Sequence, residues 1–271
     1  MNAVEPDHPR AEAGEGPRIS VLVPCFNEAT IIRSSYEKLK EACRALPVTY
    51  EIIFGDDGST DGTLESLRRL AGEDAAVKVA SHYPNRGAGF TYRQMYGIAA
   101  GEIIFQMDAD MAMPPERTLP ELLESLEGAD MAVGSRYAGI RADYPLKRRI
   151  FSRGYTLLTR LLFHLDITDT QTGFMAFYRK ILADVDLRSD GFELLTELVA
   201  QANACGYRVV EVGLPWRHDT TSGETDVWKE SVKMLVGTIR VKRRFNRFLK
   251  GRLPATAAER TKTYDRKADH D

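Results

Sequence analysis

The chain has 271 residues, with 37 Lys and Arg against 39 Asp and Glu, for a formal net charge of −2. Hydrophobic residues make up 43% and charged residues 28%, a globular balance that excludes a wholly disordered, collagen-like or coiled-coil chain. Without a basic excess, a protein that coats nucleic acid is excluded too. The length allows one large domain or two small ones, and a core large enough for an enzyme. Cys25, Cys43 and Cys205 are odd in number and far apart. They form neither a metal-binding spacing nor a disulfide framework, which points to a reducing compartment.

Residues 1–17 are rich in Glu, Pro and Gly and lack an apolar centre. They read as a flexible tail rather than a secretory leader. Residues 19–23 form an apolar run that Pro24 is expected to end. Ile32, Tyr36, Leu39 and Cys43 then recur at helical spacing. A second run over 51–54 closes in Gly55-Asp56-Asp57-Gly58-Ser59, and Leu64, Leu67 and Leu70 mark a second helix. Strands over 77–80 and 103–107 follow, with a helix between them around 91–99. This β-α-β-α-β order predicts an α/β domain with a mostly parallel sheet covered by helices.

The second half is less regular. A short strand over 131–133 precedes a stretch rich in cations, from Arg136 to Arg153. Helices are expected over 146–165, over 191–205 and from Trp228 to about Leu249, with a strand over 209–212. In the 191–205 helix, Phe192, Leu195, Leu198, Val199 and Ala202 are expected on one face. The working domain is thus about 18–253, with a polar tail over 254–271. No stretch approaches the ~18 apolar residues of a membrane span.

Ligands of such sheets sit beyond the carboxyl ends of the strands, so the polar clusters after apolar runs carry the functional interest. Asp108 and Asp110 stand two apart at the end of a strand and share a face if the strand runs straight. Two hard oxygen donors with open positions suit Mg²⁺ or Mn²⁺ bound to a substrate diphosphate; a solvated strand-end turn is the other reading. In Asp56-Asp57-Gly58-Ser59-Thr60-Asp61-Gly62-Thr63 the glycines permit tight turns, and Thr60 or Asp61 is the expected helix N-cap. A turn and cap account for Ser59, Asp61 and Gly62 but not for Asp56 and Asp57 together. After the first strand, Glu28 either serves a ligand or complements the next helix dipole. Three polar loops at successive strand ends converge on one crevice.

Val23-Pro24-Cys25-Phe26-Asn27-Glu28, the Asp56–Thr63 loop, Asp108-Ala109-Asp110 and Gly134-Ser135-Arg136-Tyr137 together resemble the inverting family 2 glycosyltransferases of GT-A fold. Arg149-Ile150-Phe151-Ser152-Arg153-Gly154 and Asp169-Thr170-Gln171-Thr172-Gly173-Phe174 are similar to the polyprenyl-phosphate branch, the dolichol-phosphate mannose and glucose synthases. The resemblance runs from about Ile19 to Arg244. It implies a single GT-A, Rossmann-like domain that moves a hexose from a nucleotide sugar to a polyprenyl phosphate. It also implies that Pro24, Phe26, Glu28, Gly55 and Asp57 line the nucleoside site. Asp108, Ala109 and Asp110 would hold ribose, metal and diphosphate, with Arg136 near the phosphates. Arg149 and Arg153 would lie near the acceptor phosphate, bordered by Asp169 and Gln171. Mg²⁺ or Mn²⁺ is the implied cofactor.

The chain departs from the mannose synthases at two places. Ala112 stands where they carry a polar residue that supports the metal, and the loop over 215–226 lacks their Lys, with Asp226 near its place. The Asp-Thr-Gln-x-Gly-Phe form and Pro215-Trp216 are closer to the glucose synthases. A hydroxyl acceptor would require a general base, for which Asp169 is the candidate; a non-catalytic nucleotide-sugar-binding scaffold is a further alternative. Arg149 and Arg153 are four apart and share one side of a helix, either as a phosphate clamp or as a solvated face. The basic segment 240–250, with Phe245, Phe248 and Leu249 interleaved, either lies on an anionic membrane or packs as an ordinary helix end. The expected location is the cytoplasmic face of a membrane.

Overall fold

The computed structural model describes residues 16–135, 146–170, 172–214 and 236–251. In chain order, β1 (Ile19–Cys25), α1 (Ile32–Arg44), β2 (Tyr50–Asp57), α2 (Thr63–Glu73), β3 (Val77–His82), α3 (Ala88–Ile98) and β4 (Ile103–Gln106) form the first half. Then come α4 (Pro115–Ser125), β5 (Met131–Ser135), α5 (Leu146–Phe163), β6 (Met175–Tyr178), a 3-10 turn (Arg179–Ala183), α6 (Glu193–Ala204) and β7 (Val209–Gly213). A further helix, α7, covers 236–251.

The strands form one sheet in the order β3-β2-β1-β4-β6-β5-β7. β1 pairs parallel with both β2 and β4, β2 with β3, and β5 with β7. β6 runs antiparallel to β4 and β5. The sheet is therefore mostly parallel, as expected, with one reversed strand that the sequence reading did not contain. α4 is a second element missing from that reading.

The central strands read as unbroken apolar runs because helices cover both faces. Val21, Val23, Ile52, Phe54, Ile103 and Phe105 face α1, α2 and α4, where Ile32, Leu39, Leu67 and Leu119 complete one core layer. Leu22, Ile53 and Ile104, one residue out of phase, face α3, α6 and α7, where Met95, Leu195, Leu198 and Val241 complete the other. The alternation follows from the two-residue period of a strand.

Several boundaries differ from expectation. β1 does not end at Pro24 but continues to Cys25, with Pro24 opposite Gly55 of β2. Leu22 O accepts from Met107 N on the β4 side. Pro24, two residues on, points its missing N–H the same way, beyond the end of β4, so no ladder bond is lost there. β4 stops at Gln106 rather than 107, and α3 starts at Ala88 rather than 91. Phe192 is not on the buried face of α6: it is the residue before the first turn and is 59% exposed. Residues 1–15 of the expected N-terminal tail, the whole C-terminal tail, and residues 228–235 of the expected last helix lie outside the described residues.

Asp74, just past α2, ties α2 to α1. It accepts hydrogen bonds from Tyr36 OH at 2.7 Å and Ala76 N at 2.9 Å, with Lys40 Nζ at 2.9 Å. Burial alone would raise its pKa, but these donors outweigh it and hold the carboxyl at about 2. A depressed acid stabilises the fold above its unfolded pKa of about 3.9, and that contribution disappears as pH falls through the folded value. Asp74→Asn is expected to lower unfolding free energy by about 1–2 kcal/mol at neutral pH, allowing for partial solvent screening. In urea melts at stepped pH the gap from the parent chain should close between about pH 4 and pH 2. A gap that stays constant across that range would disprove the assignment.

Candidate functional site

The first three strand ends are stitched together by side-chain bonds to backbone. Asn27, held at φ 57°, donates its N–H to Ser59 Oγ at 3.0 Å and accepts from Thr60 N at 2.9 Å. Glu28 N donates to Thr63 Oγ1 at 2.8 Å. Asp61 accepts from Ala29 N at 3.0 Å through one oxygen and from Thr63 N at 3.0 Å through the other. Gly62 is the formal N-cap of α2. Asp61 does the capping expected of it from one residue further back, because the left-handed Gly62 turns the chain beneath it.

Asp57, at the end of β2, is 5% exposed. It accepts from Arg86 N at 2.8 Å and Gly87 N at 3.0 Å, and His82 Nε2 lies 2.8 Å away. Gly58 is needed at the adjacent turn: it sits at φ 73°, and a Cβ there would meet Asn85 N at 2.5 Å. Phe26 projects from the β1 end, 47% exposed. Gly55 is buried beneath α3, where a Cβ would meet Thr91 Cγ2 at 2.5 Å. Its side therefore serves helix packing, while its backbone pairs with Pro24.

After β4 the chain turns sharply. Met111 adopts φ 54° and donates to Asp108 O at 3.3 Å, and Ala112 N donates to Asp110 Oδ1 at 3.0 Å. Ala109 is buried, and its carbonyl accepts from Ser35 Oγ of α1 at 2.7 Å. Asp108 lies against Gly173, where a Cβ would collide with the Asp108 carboxylate. Glu28 is raised above the usual carboxylate range, first by burial and then by the charges of Asp110 and Asp61. The structure thus brings Glu28 and Asp110 into one electrostatic neighbourhood, as the loops' convergence implied.

Asp169 is 2% exposed. Glu211 of β7 accepts from Asp169 N at 3.1 Å and Thr168 N at 3.0 Å, and from the Thr168 hydroxyl. Glu211 had no place in the sequence reading; its only signal is a carboxylate in the middle of an otherwise apolar strand. Arg136, Gln171 and the 215–226 loop lie outside the described residues, and α5 is described at Arg149 and Arg153 by its backbone alone.

The donor set suits a hard divalent cation. Asp108 and Asp110 offer carboxylate oxygens at one strand end, and Glu28, raised first by burial and then by the charges of Asp110 and Asp61, shares their acidic surroundings. Among the described residues no group of three or more His, Cys, Asp or Glu is gathered to hold a metal.

A mostly parallel sheet with polar loops at the carboxyl ends of β1, β2 and β4 is the GT-A architecture, and solved structures share it. Glucosyl-3-phosphoglycerate synthase from Mycobacterium tuberculosis, in complex with uridine diphosphate, superposes with a TM-score of 0.64 at 19% identity, over 84% of this chain and 80% of that one. Mannosyl-3-phosphoglycerate synthase from Rubrobacter xylanophilus gives 0.64 at 15% identity, over 85% and 75%. The chain belongs to glycosyl transferase family 2, whose model matches residues 20–186.

Among curated relatives, glycosyltransferase AglD of Haloferax volcanii is 33% identical over 226 residues, 81% of this chain and 36% of that protein. The dolichol-phosphate mannosyltransferase of Pyrococcus furiosus is 31% identical, over 72% of this chain and 55% of its own length. The undecaprenyl-phosphate mannosyltransferase of Micrococcus luteus is 30% identical, over 72% and 82%. The chain thus spans about a third of the first relative and about half of the second.

Glu211→Ala leaves two backbone N–H groups without their acceptor and is expected to cost about 1–3 kcal/mol of stability. Glu211→Gln retains one acceptor oxygen and should cost less. Equal losses for the two variants in a denaturant melt would show that the carboxylate does not hold the 168–169 turn.

Proposed function

We propose that this chain is an inverting glycosyltransferase that moves a hexose from a nucleotide sugar to a polyprenyl phosphate. The observation that carries the reading is that Glu28 follows β1 and Asp108 and Asp110 follow β4, neighbouring parallel strands whose carboxyl ends lie side by side, with Asp108 against Gly173. Relatives named for dolichol and undecaprenyl phosphate support the acceptor class.

In this reading the nucleoside lies along Pro24, Phe26, Glu28, Gly55 and Asp57. Asp108, Ala109 and Asp110 hold the ribose and diphosphate side. Asp108 and Asp110 would hold Mg²⁺ or Mn²⁺, which offsets charge on the departing diphosphate. A solved structure of the Mycobacterium tuberculosis synthase is in complex with Mn²⁺ and uridine diphosphate. Arg136 adds fixed positive charge where negative charge develops. Arg149, Arg153 and Gln171 receive the acceptor phosphate, with Asp169 bordering the same site.

A phosphate monoester has a second pKa of about 6, so it is already an oxyanion at neutral pH. Its oxygen attacks the anomeric carbon from the face opposite the diphosphate. The C–O bond to the leaving group breaks, and the electron pair departs on the nucleoside diphosphate. No proton need be removed from the acceptor, so the chain's main contribution is orientation. Asp169, buried and held through the Glu211 turn, then acts by shaping the acceptor pocket.

The test is a product assay with short polyprenyl phosphate, Mg²⁺ or Mn²⁺, and a panel of UDP- and GDP-sugars, read by mass spectrometry of the lipid fraction. A glycosylated lipid phosphate that falls at least about a hundredfold in Asp110→Ala is expected. Sugar transferred only to a hydroxyl acceptor would replace the lipid reading. Binding without turnover toward any acceptor would replace the enzyme reading with a scaffold.

A lipid acceptor calls for a membrane-facing surface. No helix among the described residues is long and apolar enough to cross a membrane. α5 and α7 pack together through Phe163 and Phe245 and through Tyr155 OH and Thr238 Oγ1. They expose Leu157, Leu161, Val236 and Ile239 alongside Arg240, Arg243, Arg247 and Lys250. We propose that this face rests on an anionic membrane, on its cytoplasmic side, each cation contributing about 1 kcal/mol. Leu161→Glu combined with Ile239→Glu should reduce co-sedimentation with anionic vesicles several-fold while the melting temperature holds. Unchanged sedimentation would exclude this face.

A further inference from the structure

His82, at the end of β3, has no role in the reading above, yet its side chain is only 10% exposed. Nδ1 lies 2.8 Å from Gln94 Oε1 and Nε2 lies 2.8 Å from Asp57 Oδ1. The ring packs edge-on to Phe90 at 4.7 Å between centroids, and the Arg86 guanidinium stacks over Phe90 at 3.5 Å. An ionised carboxylate only accepts, so Nε2 carries the hydrogen in this contact.

The two oxygens of Asp57 are unequally used. Oδ1 takes His82 Nε2 at 2.8 Å, Arg86 N at 2.8 Å and Gly87 N at 3.1 Å. Oδ2 has only its share of the same Gly87 N–H, at 3.0 Å. A carboxylate has about four acceptor sites, two on each oxygen. The Gly87 N–H lies slightly nearer Oδ2 and is shared between the two, so His82 Nε2 and Arg86 N are the two close donors that occupy Oδ1, and Oδ2 has room for one further donor. The β1–β2 register pairs Cys25 with Asp56. Phe26, half-exposed, follows Cys25 directly. In the proposed function the base lies along Phe26 and Asp57, and its polar edge meets Oδ2.

We propose that His82 sets the base selectivity of the donor site: by filling Asp57 Oδ1 it leaves an acceptor for the one imide N–H of uracil and none for the second of guanine's two adjacent donors. The inference rests on Asp57 facing the nucleoside, as in the proposed function. Uracil offers a single ring N–H between two carbonyls. Guanine offers a ring N–H and an exocyclic amine side by side, which call for both oxygens of a carboxylate. Here the second donor would face a filled oxygen and remain unmet, and a buried donor without an acceptor is penalised strongly. His82 touches no substrate in this account; it is a positioning residue that acts through Asp57.

The experiment is calorimetric titration of the full chain with UDP and with GDP in the presence of Mn²⁺, repeated on His82→Phe and His82→Gln. The parent chain is expected to bind UDP about tenfold or more tightly than GDP. His82→Phe keeps a ring against Phe90 but cannot donate, and should narrow the ratio several-fold; His82→Gln can still donate and should preserve it. A purely structural role would weaken both nucleotides equally and leave the ratio unchanged. GDP bound as tightly as UDP by the parent chain, or an unchanged ratio in a folded His82→Phe, overturns the inference while the transferase reading stands. Binding of neither nucleotide by the parent chain removes the transferase reading itself. Should His82→Phe not fold, the parent ratio and His82→Gln still decide.

Discussion

The Asp57 carboxylate is the junction on which the carboxyl end of the sheet depends. It ends a buried central strand, yet it accepts from the backbone of Arg86 and Gly87, which belong to the loop entering α3. That loop is also pressed from the other side. A Cβ on Gly87 would stand 2.5 Å from Asp190 O, and one on Gly89 equally close to Gly191 O. Arg93 donates to Ser189 O, and Arg244 of α7 donates to Ser189 Oγ at 3.1 Å. The loop is therefore clamped between a strand end and the 189–191 turn, and the turn is bonded to the last helix. One buried carboxylate, with glycines where backbones approach most closely, joins the first half of the chain to the second.

The same logic governs the neighbouring loops. Asn27, Asp61 and Thr63 join the ends of β1 and β2 by side-chain bonds to backbone N–H groups. Such bonds satisfy donors that strand ends and helix starts leave open. The raised Glu28 records its burial first and its acidic neighbours Asp110 and Asp61 second. A site assembled this way holds its acids before any ligand arrives, and a cation or a set of N–H donors then relieves the repulsion.

How much of this was legible in the sequence differs between the halves. The first half was clear because each strand is an apolar run buried on both faces, and each helix carries spaced apolar residues such as Ile32, Tyr36 and Leu39. The strand-end loops were visible because glycines and acids interrupt those runs. β6 was not, because Met175–Tyr178 is four residues long and reads as part of the preceding motif. α4 was hidden by Pro114, Pro115 and Pro120, which usually break helices; here Pro115 sits in the first turn, where its missing N–H is harmless. Glu211 and His82 were illegible for a different reason. Their importance lies in partners 42 or 43 residues away for Glu211 and 25 for His82, a juxtaposition made only by the sheet.

The near-zero net charge conceals a division that the proposed chemistry needs. Acids gather at the ends of β1, β2 and β4, in Glu28, Asp56, Asp57, Asp61, Asp108 and Asp110. Cations gather later, in Lys147, Arg148, Arg149 and Arg153 of α5 and in Arg240 to Lys250 of α7. Joining a sugar diphosphate to a lipid phosphate brings two anions to one carbon. A uniformly basic pocket would hold both but would also retain the diphosphate product, which carries more charge than either neighbour after the bond breaks. In the proposed chemistry, an acidic donor side that grips the diphosphate mainly through a cation keeps product release available, while the arginines of α5 serve the acceptor phosphate. In the proposed chemistry the two sides need a rigid border, and the loop over 84–89, held by Asp57 on one side and by 189–191 on the other, is the element placed to supply it.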